Sequence, residues 1–222
     1  LEYTWTGGGD LLNWDDPNNW DSGVTPTSST NCIIPWDVAQ PDLALPGTYN
    51  CANLTINPKS RFSLQNGVTL NVDGNLSASG NITTNDASKL YVTGTADFSV
   101  LTINVGSEIE IDGATTFTLV SPELNILDGT FDANGSFDAT GIDINFIGAG
   151  NISISGEPSS LGNLTSDAGT ITFDGSSLQT LSEPETYNNV IFNNSTSGTA
   201  ISLSEDITIN QTHQPTKRES SK

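Results

Sequence analysis

The side chains of this 222-residue chain that could do chemistry are almost all carboxylates. Two pairs stand at spacings a glycosidase could use, Glu108 with Glu110 and Asp132 with Asp138. Such an enzyme needs two carboxyl groups about 5–10 Å apart, one acting as acid and the other as base or nucleophile. Alternation along an extended strand puts Glu108 and Glu110 on one outer face, so proximity is easy, but nothing nearby marks a cleft. The sole histidine, His213, lies in the C-terminal tail, which leaves His-based nucleophilic catalysis and His-ligated zinc without raw material in the body. A polysaccharide lyase wants a base beside an acidic sugar, and residues 1–212 offer only Lys59, Arg61 and Lys89 as basic residues. The expectation is a protein that is not an enzyme, with no catalytic residues and no cofactor.

Binding chemistry has two further sources. Trp5, Trp14, Trp20 and Trp36 could stack on sugar rings as a glycan platform, although large aromatics more often supply buried area, here as a cap. Asp10, Asp15, Asp16, Asp21, Asp37 and Asp42 could offer oxygens to Ca2+. None of them follows the EF-hand loop or the glycine-rich nonapeptide repeat, and an acidic solvated surface explains them equally well. No metal site is therefore assigned. Thr-x-Thr phrases such as Thr116-Phe117-Thr118 and Thr170-Ile171-Thr172 do not recur once per repeat, which argues against an ice-binding rank of threonines.

The charge balance excludes whole classes of partner. Residues 1–212 hold 25 acidic and 3 basic residues, a net of −22, while Lys217, Arg218 and Lys222 make the tail basic. A body this acidic repels phosphate backbones and anionic bilayers, so nucleic acid is not expected as a partner. No apolar run approaches the length of a membrane span, and membrane insertion is not expected either. Cys32 and Cys51 form an even pair in an acidic, lysine-poor chain, which suggests an oxidising, extracellular setting. A Cys32–Cys51 disulfide is expected, contributing about 3 kcal/mol by loop entropy; the alternative is two separate buried thiols.

These residues must be positioned by short strands. Residues 1–50 hold all four tryptophans and five of the ten prolines and read as a cap segment. Residues 51–210 repeat three- to five-residue alternating runs, among them Asn53-Leu54-Thr55-Ile56-Asn57, Glu108-Ile109-Glu110-Ile111-Asp112, Thr116-Phe117-Thr118-Leu119 and Thr170-Ile171-Thr172-Phe173. Each has an apolar and a polar face, and no helical stripe competes. Asx-Gly pairs punctuate them at Asn66-Gly67, Asp73-Gly74, Asp112-Gly113, Asp128-Gly129, Asn134-Gly135 and Asp174-Gly175. They read as sharp turns through positive φ. Strands every seven to ten residues give coils of roughly 20–25 residues, about seven between Ala52 and Asn210. The spacing favours an all-β parallel β-helix, a solenoid with a Trp-rich N-terminal cap, over an antiparallel sandwich. Residues 211–222 read as a polar, basic tail, disordered or a linker. No C-terminal cap is visible, so Ile207 and Ile209 are candidates for an end-to-end assembly strand, in a chain that is a fragment or meets another molecule there.

The opening Tyr3-Thr4-Trp5-Thr6-Gly7, Asn13-Trp14, Pro17-Asn18-Asn19-Trp20, Pro26 and Ile33-Ile34-Pro35 resembles the first module of large secreted, adhesin-like surface proteins of Bacteroidetes-type bacteria. Ala52-Asn53-Leu54-Thr55-Ile56-Asn57 and Tyr187-Asn188-Asn189-Val190-Ile191-Phe192-Asn193 are similar to their coil starts. That resemblance implies a right-handed β-helical passenger exported by the type IX route, at the cell surface or outside the cell. The expected function is a non-enzymatic, structural or adhesive rod. Two alternatives are a carbohydrate-binding module that uses the N-terminal aromatics on polysaccharide or a host surface ligand, and a subunit of a self-assembling filament.

Overall fold

The computed structural model describes residues 1–118, 122–166, 168–183 and 185–210. The expected tail at 211–222 and Leu119, the end of one expected strand, lie outside the described residues. The described chain is a parallel β-solenoid, all-β apart from a single 3₁₀ turn at Pro17–Asn19. Among the described residues no helix is long and apolar enough to cross a membrane.

One coil sets the pattern for the rest. Strands Leu54–Ile56, Arg61–Leu64 and Thr69–Val72 each begin a face, and each pairs in parallel with its successor one coil later. Their residues alternate between inward apolar and outward polar positions, because an extended chain throws successive side chains to opposite faces. Leu54 pairs with Leu76 and Ala96 with Thr115, so a coil takes 22 residues at one level and 19 at another. Strands Leu76–Thr84 and Ala96–Ile103 run through a corner without a break and join two faces into one 13-stranded sheet. The third face is an 8-stranded sheet. Stacking continues to strands Ile201–Leu203 and Ile207–Ile209, giving about eight turns. The first coil lies earlier than the expected boundary at residue 51: strands Asn31–Ile34, Asp42–Leu43 and Thr48–Cys51 already pair with the coil above.

The interior is a column of stacked apolar side chains. Phe98, Phe117, Phe131 and Phe137 pack with ring centroids 5.7–6.3 Å apart across successive coils, mostly edge to face, the arrangement the ring quadrupole favours. On the outside, asparagine amides donate from coil to coil: Asn53 to Asn31 at 2.8 Å, Asn71 to Asn50 at 3.0 Å and Asn145 to Asn125 at 3.0 Å. Each amide can donate and accept at once, so a stacked asparagine meets its polar needs with its own kind.

The Asx-Gly pairs behave differently from expectation. Of their six glycines only Gly67 has positive φ, +72°. The others serve close approach of coils: a Cβ on Gly135 would overlap the Gly113 carbonyl, and one on Gly113 would overlap that of Gly94. Backbone touches backbone at this corner, and only hydrogen fits between.

Candidate functional site

Three of the four tryptophans are interior. Trp5 and Trp14 are completely buried and Trp20 nearly so, with centroids of 5.2 Å for Trp5 to Trp20 and 4.7 Å for Trp14 to Trp20. Phe62 of the second coil meets Trp14 edge-on at 6.0 Å. Trp5 Nε1–H donates to the Ala39 carbonyl at 2.8 Å and Trp20 Nε1–H to the Trp14 carbonyl at 2.8 Å. The cluster closes the end of the apolar column, a cap in the sense the sequence suggested. It also corrects the glycan platform, because side chains with no accessible surface cannot stack on a sugar. Only Trp36 remains exposed, at 59%.

Four of the six aspartates of the cap, Asp10, Asp16, Asp21 and Asp42, are engaged locally. Asp10 Oδ1 accepts from the Leu12 and Asn13 N–H groups, and Asp16 Oδ1 accepts from the Asn18 N–H and caps the 3₁₀ turn. Hydrogen bonding to the Asn18 backbone holds the Asp16 carboxyl below the usual carboxylate range. Asp21 Oδ1 accepts from the Thr4 N–H at 2.9 Å, and Asp42 accepts from Gln65. These are turn and cap duties. Among the described residues no three His, Cys, Asp or Glu side chains converge where they could hold a metal ion.

The expected disulfide is absent: Cys32 and Cys51 are free thiols, both buried. Both point into the first coil's interior, where Cys32 Sγ sits 3.7 Å from the Thr30 carbonyl. Interaction with the Cys51 sulfur, reinforced by burial, pushes the Cys32 pKa up and keeps it protonated, whereas oxidation requires the thiolate. The outcome is the alternative the sequence left open, two buried thiols, and not the expected bond.

The 8-stranded face gathers the acidic residues. Register places Glu108 beside Lys89, Glu110 beside Tyr91 and Asp132 beside Glu110. Lys89 Nζ donates to Glu108 at 2.7 Å, the one ion pair among the described residues, and this partner raises the lysine's pKa. Asn134 Nδ2 donates to Glu110 and to Asp112, both at 3.0 Å. Ser153 and Ser155 hydroxyls donate to Asp174 at 2.7 and 2.9 Å. Asp132 stands in the middle, its Oδ1 shielded from water without a hydrogen-bond partner among the described residues. Burial first, then the charges of Asp174, Glu110, Glu108 and Asp112, push its pKa up to about 6.

Of the two carboxylate pairs named from sequence, Glu108 and Glu110 do share one outer face. Asp132 and Asp138 do not: they lie on strands Thr130–Ala133 and Phe137–Asp138, which belong to different sheets. Sequence reasoning missed the column that forms instead, Glu110 over Asp132, because its members are 22 residues apart. The signal was present as a coil-length spacing between acids, but coil length drifts from 19 to 23 and hides the register.

At the far end, strand Ile207–Ile209 pairs with Glu185–Tyr187. Ile207 is half-buried and Ile209 is 39% exposed, with Leu203 and Phe192 also presented outward. Comparison with protein-family models, with curated proteins and with solved structures finds no match to this chain.

Proposed function

We propose that this chain is a non-enzymatic structural segment, a stiff solenoid rod in an extracellular bacterial surface protein that holds other parts at a distance. The observation behind this reading is the parallel coil-on-coil pairing, continuous on the 8-stranded face from Thr48 to Phe192 and on the 13-stranded sheet from Glu2 to Ser166, around a continuous apolar column. Strands stacked about 4.8 Å apart over eight turns give a body about 40 Å long in which bending any coil breaks ladders on three sides. Extracellular placement rests on the resemblance of the Trp5 to Pro35 stretch to surface-protein modules and on the acidic, lysine-poor composition. End-to-end filament growth is less well supported than a rod, because the tryptophan cluster closes one of the two ends a filament would need open.

The test is mechanical. Pulled between its ends in a force spectrometer, the rod should open coil by coil, each event releasing 19–23 residues, or about 65–80 Å of contour. A single featureless extension at low force would remove the basis for a load-holding spacer. Protease shaving or antibody labelling of intact source cells tests the location, and a protein accessible only after lysis would overturn it.

A further inference from the structure

The exposed tryptophan stands in unusual company. Lys59 Nζ lies over the Trp36 ring, 5.3 Å from its centroid, and Arg61 is exposed two residues further on. Lys59 and Arg61 are two of the three basic residues in a body of net charge −22, and neither has an ion pair among the described residues. Asp37 is the carboxylate of the same loop.

The two loops that carry this group are held together by hydrogen bonds. Asn57 N–H and Ser60 Oγ–H both donate to the Ile34 carbonyl, at 3.0 and 3.1 Å. Gln40 Nε2 donates to the Pro35 and Val38 carbonyls at 2.9 and 2.7 Å, while its Oε1 accepts from the Arg61 N–H at 2.8 Å. Trp36 and the two cations thus project from a fixed frame.

The backbone under Lys59 is strained. Ser60 N–H donates to the Asn57 carbonyl to close the turn Asn57-Pro58-Lys59-Ser60, and Lys59 has φ +71°. The turns Asn104–Ser107 and Ala139–Ile142 close in the same way, with glycine at that position: Gly106 at +69° and Gly141 at +74°. A lysine where these two turns use glycine carries a conformational cost, as Ala87 does at +59° in the turn Asn85–Ser88.

We propose that Trp36, Lys59 and Arg61 form a binding surface for an acidic sugar, a uronic acid residue within an otherwise neutral glycan. The indole face matches the C–H face of a pyranose, and the carboxylate is met by the two cations. Lys59 is a flexible tether whose exposed cation–π contact is weak enough to exchange for the carboxylate. A ligand with one charge among several neutral sugars suffers least repulsion from the acidic body. A nucleic acid, with a charge on every unit, suffers most.

The experiment titrates the full chain with a xylotetraose carrying one glucuronic acid, reading the heat of binding by calorimetry for every variant and intrinsic fluorescence for those that keep Trp36. Trp36 is the tryptophan open to ligand, since the other three are buried. Saturable binding that quenches Trp36 is expected, with the calorimetric affinity weakened severalfold between about 20 and 200 mM salt and at least about tenfold by Trp36→Ala. Lys59→Gly should weaken binding about threefold or more while raising the melting temperature by about 2–4 °C, because the turn is relieved. Four results would each overturn the proposal: no saturation up to about 10 mM; equal binding of unsubstituted xylotetraose; equal binding of adenosine monophosphate, which would point to a nucleotide; or binding that survives Trp36→Ala. A fall in melting temperature for Lys59→Gly would remove the strain component. Arg61→Gln, on an exposed side chain, tests the charge requirement without touching the turn and should also weaken binding; unchanged affinity in this variant counts against the proposal.

Discussion

Replacing Asp132 with asparagine should stabilise the protein, and only above mildly acidic pH. In the folded state burial and four neighbouring carboxylates raise its pKa from an ordinary 3.8 to about 6, so the native protein holds this proton more tightly than the unfolded chain does. The native state therefore suffers no charge penalty from this group below pH 3.8. The penalty accumulates between 3.8 and 6 and is complete above 6. Two units would be about 3 kcal/mol at full strength; water reaching this partly exposed side chain reduces that to about 1 kcal/mol. Asparagine keeps the shape, cannot ionise, and can donate to Glu110 or Asp174. Urea denaturation of both proteins from pH 4 to pH 8 measures the difference. The variant should be more stable by about 1 kcal/mol at pH 7.5 and indistinguishable near pH 4. A variant no more stable at pH 7.5, or a gain independent of pH, would refute the reasoning.

Other perturbations test the fold directly. Gly135→Ala places a methyl against the Gly113 carbonyl and should force the coils apart, lowering stability by about 2–4 kcal/mol in denaturant melts; an unchanged midpoint would mean that the corner has room. Trp14→Ala removes the ring between Trp5, Trp20 and Phe62 and should cost about 3–5 kcal/mol, with loss of near-ultraviolet dichroism. Ala87→Gly relieves a positive φ of +59° at an exposed turn and should stabilise by about 1 kcal/mol. Thiol titration should count two free cysteines after unfolding without reductant, and slow reaction before it; a count of zero would restore the disulfide.

Much of the architecture was legible because it is written with period two. Glu108-Ile109-Glu110-Ile111 announces its buried face residue by residue, and Thr170–Phe173 does the same. The tryptophan cap was legible for three of its four expected members, Trp5, Trp14 and Trp20, since large aromatics before a repeating apolar column have an obvious place to go; the exposure of Trp36 was not. Facts that depend on stacking were not legible. Asp112-Gly113 and Asn134-Gly135 look like turns in sequence, yet their glycines answer to the coil below. Asp132 acquires its neighbours from strands 22 residues earlier and 21 later, with a register that drifts between them. Lys59 appears in the sequence only as a scarce base, and its strained turn becomes visible beside Gly106 and Gly141.

The tryptophan cluster has a bearing on how the molecule is made. It precedes the coils in chain order and is led by a strand, Glu2–Thr4, that pairs with the first coil. Each later coil therefore meets a finished edge and needs to close only one circuit of about 20 residues to extend it, a small and repeated entropic step rather than one large search. Assembly of this kind has a direction. A lesion in an early coil would deny every coil after it a template, whereas the same lesion near Ile207 would leave the rest of the stack intact.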